Sequence, residues 1–283
     1  MSAMGGKRTS AKSLPSGSGP ELLASLSLIG KAAPSAITVR SIFMRRALLV
    51  GGSGLSILLL TAILINEISK ATCFTLTAGV ICRVETQDKL VALTFDDGPT
   101  RQGVEAVLPV LQRYNAKGTF FLIGYESRER PALIRKIAAA GHEVANHSFH
   151  HRRMVLHSSR FYEREIRSTD AQLRSAGAPE PKLFRPPYGK KLIGLPLAVE
   201  RSGKKMIMWD SGDPPDRDPK VYAAKVLDQI RPGSITLIHP MYGSRQTERE
   251  ALPLILEGLK QRGYRMVTVS ELIGLGQKVQ GAD

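Results

Sequence analysis

Only two cysteines, Cys73 and Cys82, occur in the 283 residues, and they lack Cys-x-x-Cys spacing. A cysteine-based zinc site is therefore excluded, while one disulfide in an oxidising compartment stays open. No Gly-x-Gly-x-x-Gly turn follows the first apolar run, which argues against a dinucleotide-binding fold. Acidic residues are outnumbered: Lys and Arg exceed Asp and Glu by 15. That excess invites a nucleic-acid reading, but no dense basic block with interleaved aromatics accompanies it. Residues 1–46 hold seven basic side chains (Lys7, Arg8, Lys12, Lys31, Arg40, Arg45, Arg46) against the single acid Glu21. No nucleic-acid partner is expected, since a polyanionic surface polymer or a membrane would be attracted equally well. With 42% hydrophobic and 23% charged residues the chain can bury a sizeable core.

What is present begins with an uncharged run, Ala47 to Ile65. Nineteen residues of helix span roughly 28 Å, the hydrocarbon thickness of a bilayer. Arg45 and Arg46 precede it, so the positive-inside rule leaves the N-terminus in the cytoplasm. Residues 47–66 are expected to be a transmembrane anchor or a signal h-region. Ser69-Lys70-Ala71 has the small-x-small form of a cleavage site, and Met44 offers a compact alternative start. Either version exports everything after about residue 70. The expected organisation is a basic disordered tail at 1–46, the apolar segment 47–66, a linker at 67–87, a catalytic domain at 88–275 and a short tail at 276–283.

Within the exported part, β-rich runs alternate with helical patterns. Strands are expected at 89–95, 117–123, 142–146, 182–185, 204–209, 234–239 and 264–269. Helices are expected near 103–115, 131–140, 159–176, 190–202, 219–230 and 247–262. This alternation implies an α/β fold with a parallel sheet and outer helices. A (β/α) barrel, distorted and of about seven strands, is preferred.

Polar residues cluster at the C-terminal ends of those strands. Asp96 and Asp97 follow the first, His147 and His151 the third, Arg185 ends the fourth, Asp210 follows the fifth and His239 ends the sixth. In a β/α barrel that rim is where active sites form. Neighbouring side chains on a strand face opposite ways, so two adjacent aspartates serve one site only if the strand stops there. Gly98-Pro99 stops it. His147 and His151, at i and i+4, would share a face of a helical turn and grip one cation. Joined by a neighbouring carboxylate they make a two-His-one-Asp site with positions open for water, which suits a catalytic metal.

The ordered series Thr94-Phe95-Asp96-Asp97-Gly98-Pro99, His147-Ser148-x-x-His151, Arg185-Pro186-Pro187-Tyr188-Gly189 and Leu237-Ile238-His239 resembles the motifs of the polysaccharide deacetylases. That family includes peptidoglycan and chitin-oligosaccharide deacetylases, and the similarity covers roughly residues 88–273. It implies that Asp97, His147 and His151 bind a divalent metal, usually Zn2+. Asp96 would be the general base, oriented by Arg185, and His239 the general acid. The backbone N–H of Tyr188 would help hold the oxyanion, and Leu237 would line the acetyl pocket. The reaction implied is hydrolytic removal of N-acetyl groups from an N-acetylglucosamine-containing glycan such as peptidoglycan or a chitin-like polymer. One motif departs from the pattern: Asp213-Pro214-Pro215-Asp216-Arg217 has Arg where the family carries Trp. Asp216 is expected to be the partner of His239, with Asp210 as rival. Two other readings remain: a different amide or ester hydrolase on this scaffold, and a membrane-tethered glycan-binding protein whose catalysis has lapsed.

Overall fold

A computed structural model describes residues 36–280; most of the expected basic tail lies outside the described residues. The chain opens with α1 (Ala36–Lys70) and β1 (Val80–Ile81), followed by β2 (Leu90–Asp96), α2 (Arg101–Arg113) and β3 (Gly118–Leu122). Two helices, α3 (Gly124–Glu129) and α4 (Pro131–Ala139), lead to β4 (Glu143–Asn146) and α5 (Ser159–Ser175). Next come β5 (Leu183–Phe184), a 3-10 turn at Pro187–Gly189, α6 (Gly194–Arg201), β6 (Lys205–Ile207) and β7 (Ser211–Gly212). The chain closes with α7 (Pro219–Gln229), β8 (Ser234–Ile238), α8 (Gln246–Gln261), β9 (Arg265–Met266) and α9 (Val269–Gln280).

The strands form one parallel sheet in the order β1-β6-β5-β4-β3-β2-β8-β7, with β9 added beside β2. The ends β1 and β7 do not pair with each other, so the sheet is a curled half-barrel rather than a closed barrel. The expected fifth strand, 204–209, breaks after Ile207. Met208 donates to Ile81 O and Asp210 to Ile235 O, so the chain crosses from one sheet neighbour to another. The last expected strand, 264–269, is also shorter, because α9 begins at Val269; that helix runs on to Gln280, into the tail expected at 276–283.

Strand parity sets the inside and the outside. Val91, Leu93 and Phe95 pack with Val104, Leu108 and Leu111 of α2, while Leu90 and Ala92 join Phe121, Ala145, Ile207 and Ile235 on the inner side. Register carries this around the sheet: Phe121 pairs with Ala145, and Ala92 with Ile235. On β2 the inner series continues as Thr94 and Asp96. On β8 it continues as Leu237 and then His239. Both faces are apolar because helices cover the outside and the curl fills the inside. Helix starts are fixed locally: Thr100 Oγ1 accepts from Gly103 N, and Asp218 caps α7 through Lys220 and Val221 N–H groups.

Contacts divide the chain into two units, Met1–Leu58 and Leu59–Asp283. The apolar run expected at 47–66 falls in α1, where the side chains of residues 46–55 lie outside the described ones. Among the described residues no helix is long and apolar enough to cross a membrane. The stretch expected to be a linker, 67–87, is built into the second unit. It contributes β1, and Cys73 and Cys82 are joined in a disulfide.

Candidate active site

Inner-facing positions at the ends of β2, β4 and β8 converge on one cavity of about 330 Å³. Asp96, the last residue of β2, keeps the inward parity of Thr94. Asp97 would point outward if the strand continued. It instead takes a left-handed conformation with φ 76, and Gly98 follows at φ 66. That turn swings the second carboxylate back to the same side. One imidazole atom, His147 Nε2, lies 3.7 Å from Asp96 Oδ2 and 3.8 Å from Asp97 Oδ1.

His151 Nε2 lies 3.4 Å from Asp97 Oδ1, and the ligand atoms of Asp97, His147 and His151 all fall within 4.8 Å of one another. The two histidines are not on a helical turn as expected. Residues 147–151 form a loop in which Ser148 (φ 64) and His151 (φ 53) are left-handed, which brings the rings to 4.9 Å. The loop is held by its flanks. Asn146, facing outward, donates to Ile166 O and Asp170 Oδ1 of α5 and accepts from Ser148 N. Glu165, also on α5 and buried, accepts from the N–H groups of Phe149 and His150 and meets His150 Nδ1 at 2.7 Å.

These residues fit a divalent cation. Asp97 Oδ1 is buried without a hydrogen-bond partner, and burial holds the Asp97 carboxyl above its ordinary pKa, as expected of an acid lacking its counter-charge. Burial likewise lowers His147 and His151, leaving neutral rings with a free lone pair. His147 Nδ1 sits 2.9 Å from Arg185 O, so that nitrogen carries the proton and Nε2 is left to coordinate.

Arg185 is fully buried beneath Asp96. Its Nη1 donates to Asp96 Oδ1 at 2.6 Å and Thr94 Oγ1 at 2.7 Å, while Nη2 and Nε donate to the carbonyls of Met208 and Ile207. The guanidinium also lies 4.1 Å above the Phe121 ring. Burial alone would raise the Asp96 pKa, but Arg185, aided by His147 and His239, more than offsets it and holds the carboxyl below its usual value.

Across the cavity stands His239. Its partner is Asp213, whose Oδ2 lies 3.1 Å from Nδ1, and not Asp216. The geometry of that contact is that of an ion pair, since Nδ1 makes no hydrogen bond of ordinary angle. Burial lowers the His239 pKa, yet Asp213, then Asp96 and Asp97, carry it above the ordinary imidazole value. Gly212, at φ 105 with its α-carbon against Leu237 O, lets the chain approach β8 closely enough for Asp213 to turn in. Asp216 instead pairs with Lys225 at 2.9 Å, in the second turn of α7. The rival Asp210 is tied into the sheet, accepting from Ile235 N and Ser234 Oγ.

Leu237 lines the cavity, as do Tyr188 and Trp209. Tyr188 is left-handed (φ 58) and its ring meets His151 at 4.8 Å. Trp209, the chain's single tryptophan, walls the cavity beside Arg185 at 5.6 Å. It closes the expected fifth strand, and its position there was the available signal. Asp213 offered a weaker one, its place immediately after a glycine. Glu165 offered none, being one charged residue among several in its helical stretch. His142, away from this site, is buried and accepts from Gly118 N.

Residues 83–207 match the family model described as polysaccharide deacetylase. A peptidoglycan-N-acetylglucosamine deacetylase of Bacillus cereus is 32% identical over 212 residues, covering 70% of this chain and 94% of that protein. The peptidoglycan-N-acetylglucosamine deacetylase PgdA of Listeria monocytogenes is 33% identical over 66% of this chain, which spans only 39% of that protein's length. Among solved structures, a CE4 family pseudoenzyme from Bacillus anthracis superposes with a TM-score of 0.65 at 28% identity, covering 70% of each chain.

Proposed function

The chain belongs to the polysaccharide deacetylase family of enzymes, and from that footing we propose that it removes N-acetyl groups from an N-acetylglucosamine-containing glycan by metal-dependent hydrolysis. The observation that carries this reading is the convergence of Asp97, His147 and His151 around an unpartnered buried oxygen, with Asp96 beside them and His239 opposite. A zinc ion held by those three side chains would polarise the acetyl carbonyl and acidify the attacking water, an effect worth several kcal/mol. Asp96, kept ionised by Arg185, takes the proton from that water. The backbone N–H of Tyr188 stabilises the oxyanion, and Leu237 with Trp209 encloses the acetyl methyl. His239, kept protonated by Asp213, delivers a proton to the departing nitrogen, without which an amine anion would have to leave.

The family relatives named as peptidoglycan deacetylases support peptidoglycan as substrate, with chitin-type oligomers as the neutral alternative. The Cys73–Cys82 disulfide and those relatives support a catalytic unit outside the cytoplasm, tethered or exported through residues 47–66. Protease added to intact cells should then digest the catalytic unit; full protection would contradict export.

The decisive assay is acetate release by the zinc-loaded chain from both polymers, with and without chelator. Release that stops on chelation and returns with zinc supports the proposal; release unaffected by metal removal overturns it. One second reading has a specific basis: the likeness to a pseudoenzyme, together with Arg217 at the family's Trp position. Glycan binding and normal metal content without acetate release would favour that lapsed form.

A further inference from the structure

The loop that carries Tyr188 is braced from outside the barrel by the end of α1. Lys191, three residues beyond Tyr188, is only 1% exposed. Its Nζ donates to Ala71 O at 2.6 Å and reaches Gly189 O at 3.5 Å, and its backbone N–H donates to Ser69 O at 3.0 Å. Among the described residues no carboxylate pairs with it, and burial pushes its pKa down to about 8. Neighbouring ties run the same way. Lys190 Nζ donates to Asn66 Oδ1 at 3.1 Å, and Ser69 is itself buried. Cys73 Sγ, locked in its disulfide, lies 3.8 Å from Trp209 O. On the cavity side, a Cβ at Gly189 would meet the Trp209 ring at 2.9 Å, so the loop is clamped between that indole and residues 66–71.

A buried lysine without a counter-ion is costly, and carbonyl acceptors offset only part of that cost. A left-handed tyrosine is strained as well and persists only where its surroundings over-determine it. Both features sit in one short loop, with residues from before the barrel supplying the acceptors. We infer that residues 66–71 are a working part of the active site, and that Lys191 is the positioning residue through which they fix the Tyr188 backbone for the reaction. The inference rests on the reading of Tyr188 as oxyanion donor and goes beyond it. It also has a consequence for processing. Cleavage after Ala71 would remove the carbonyl-bearing segment from Lys191, so the active mature chain retains residues 66–71.

The test uses the full chain. Lys191→Met keeps the apolar stem and removes the ammonium donor. Expected are a kcat on N-acetylglucosamine oligomers lowered on the order of ten- to a hundredfold, an unchanged KM and zinc content, and a melting temperature no lower than wild type. Lys191→Arg, which keeps a donor, should recover part of the rate. A purely structural lysine would give the reverse pattern, a lower melting temperature with normal kcat per folded molecule, and would overturn the inference. Amide exchange of residues 186–192 reads the same brace without activity: faster exchange in Lys191→Met is expected, and unchanged protection overturns it even if no acetate is ever released. Should Lys191→Met not fold, Asn66→Ala with Lys190→Met is read by the same exchange measurement. A fully active chain recovered from cells with its N-terminus after Ala71 would also overturn it.

Discussion

At the scale of single residues, the proposed mechanism divides the work of the two adjacent aspartates according to their different surroundings. Asp96 is saturated by a buried guanidinium and stays ionised, whereas Asp97 keeps an unpartnered oxygen that asks for a cation. The left-handed φ of 76 at Asp97 makes this division possible and also governs how it should be probed. Asparagine tolerates that conformation better than alanine does, so Asp97→Asn is the cleaner variant. The other residue-scale question concerns the acid. His239 has a raised pKa, so its proton persists to higher pH than on an ordinary imidazole and is lost as pH rises further; activity should fall on the alkaline side. Asp213→Asn removes the main support and should move that alkaline limb of kcat/KM to lower pH. Asp216→Asn should leave the limb where it was, because Asp216 serves Lys225. A limb that moves only with Asp216 would contradict the assignment.

At the scale of elements, strand parity and loop bracing do the positioning. Four inward positions, Asp96, His147, Leu237 and His239, follow from alternation along β2, β4 and β8, and alternation is readable from sequence. So are the strand ends, which is why the rim is legible in the sequence. The loops are not. The 147–151 loop holds its rings together through two left-handed residues and the capping carboxylate of Glu165, seventeen positions away from Ser148 on α5, and spacing alone suggests a helical turn instead. Asp213 was hidden for a similar reason: the turn after Gly212 depends on contact with Leu237 O, a tertiary fact. The truncated fifth strand and the built-in stretch 67–87 likewise reflect hydrogen bonds between distant segments, such as Met208 N to Ile81 O. Glu165→Ala should loosen the metal loop and weaken zinc affinity about ten- to a hundredfold in a chelator competition, by analogy with other outer partners of metal ligands. Unchanged affinity would show that the loop needs no brace from α5.

At the scale of the whole molecule, a curled sheet gathers three strand ends and two loops onto one mouth, and the disulfide-locked stretch before β2 adds β1 to its edge. Its buried arginine is satisfied by four acceptors and an aromatic face, so the charged centre is held without access to bulk water. Under the proposed mechanism, this fold frames a single cation and two oppositely tasked protonation sites. Metal content by mass spectrometry, paired with acetate release on the same samples, tests that frame most directly. Wild type should hold one zinc per chain, and Asp97→Asn and His151→Ala should lose both metal and activity while keeping their far-ultraviolet circular dichroism. Wild type without metal, or folded variants that retain one zinc per chain, would contradict it.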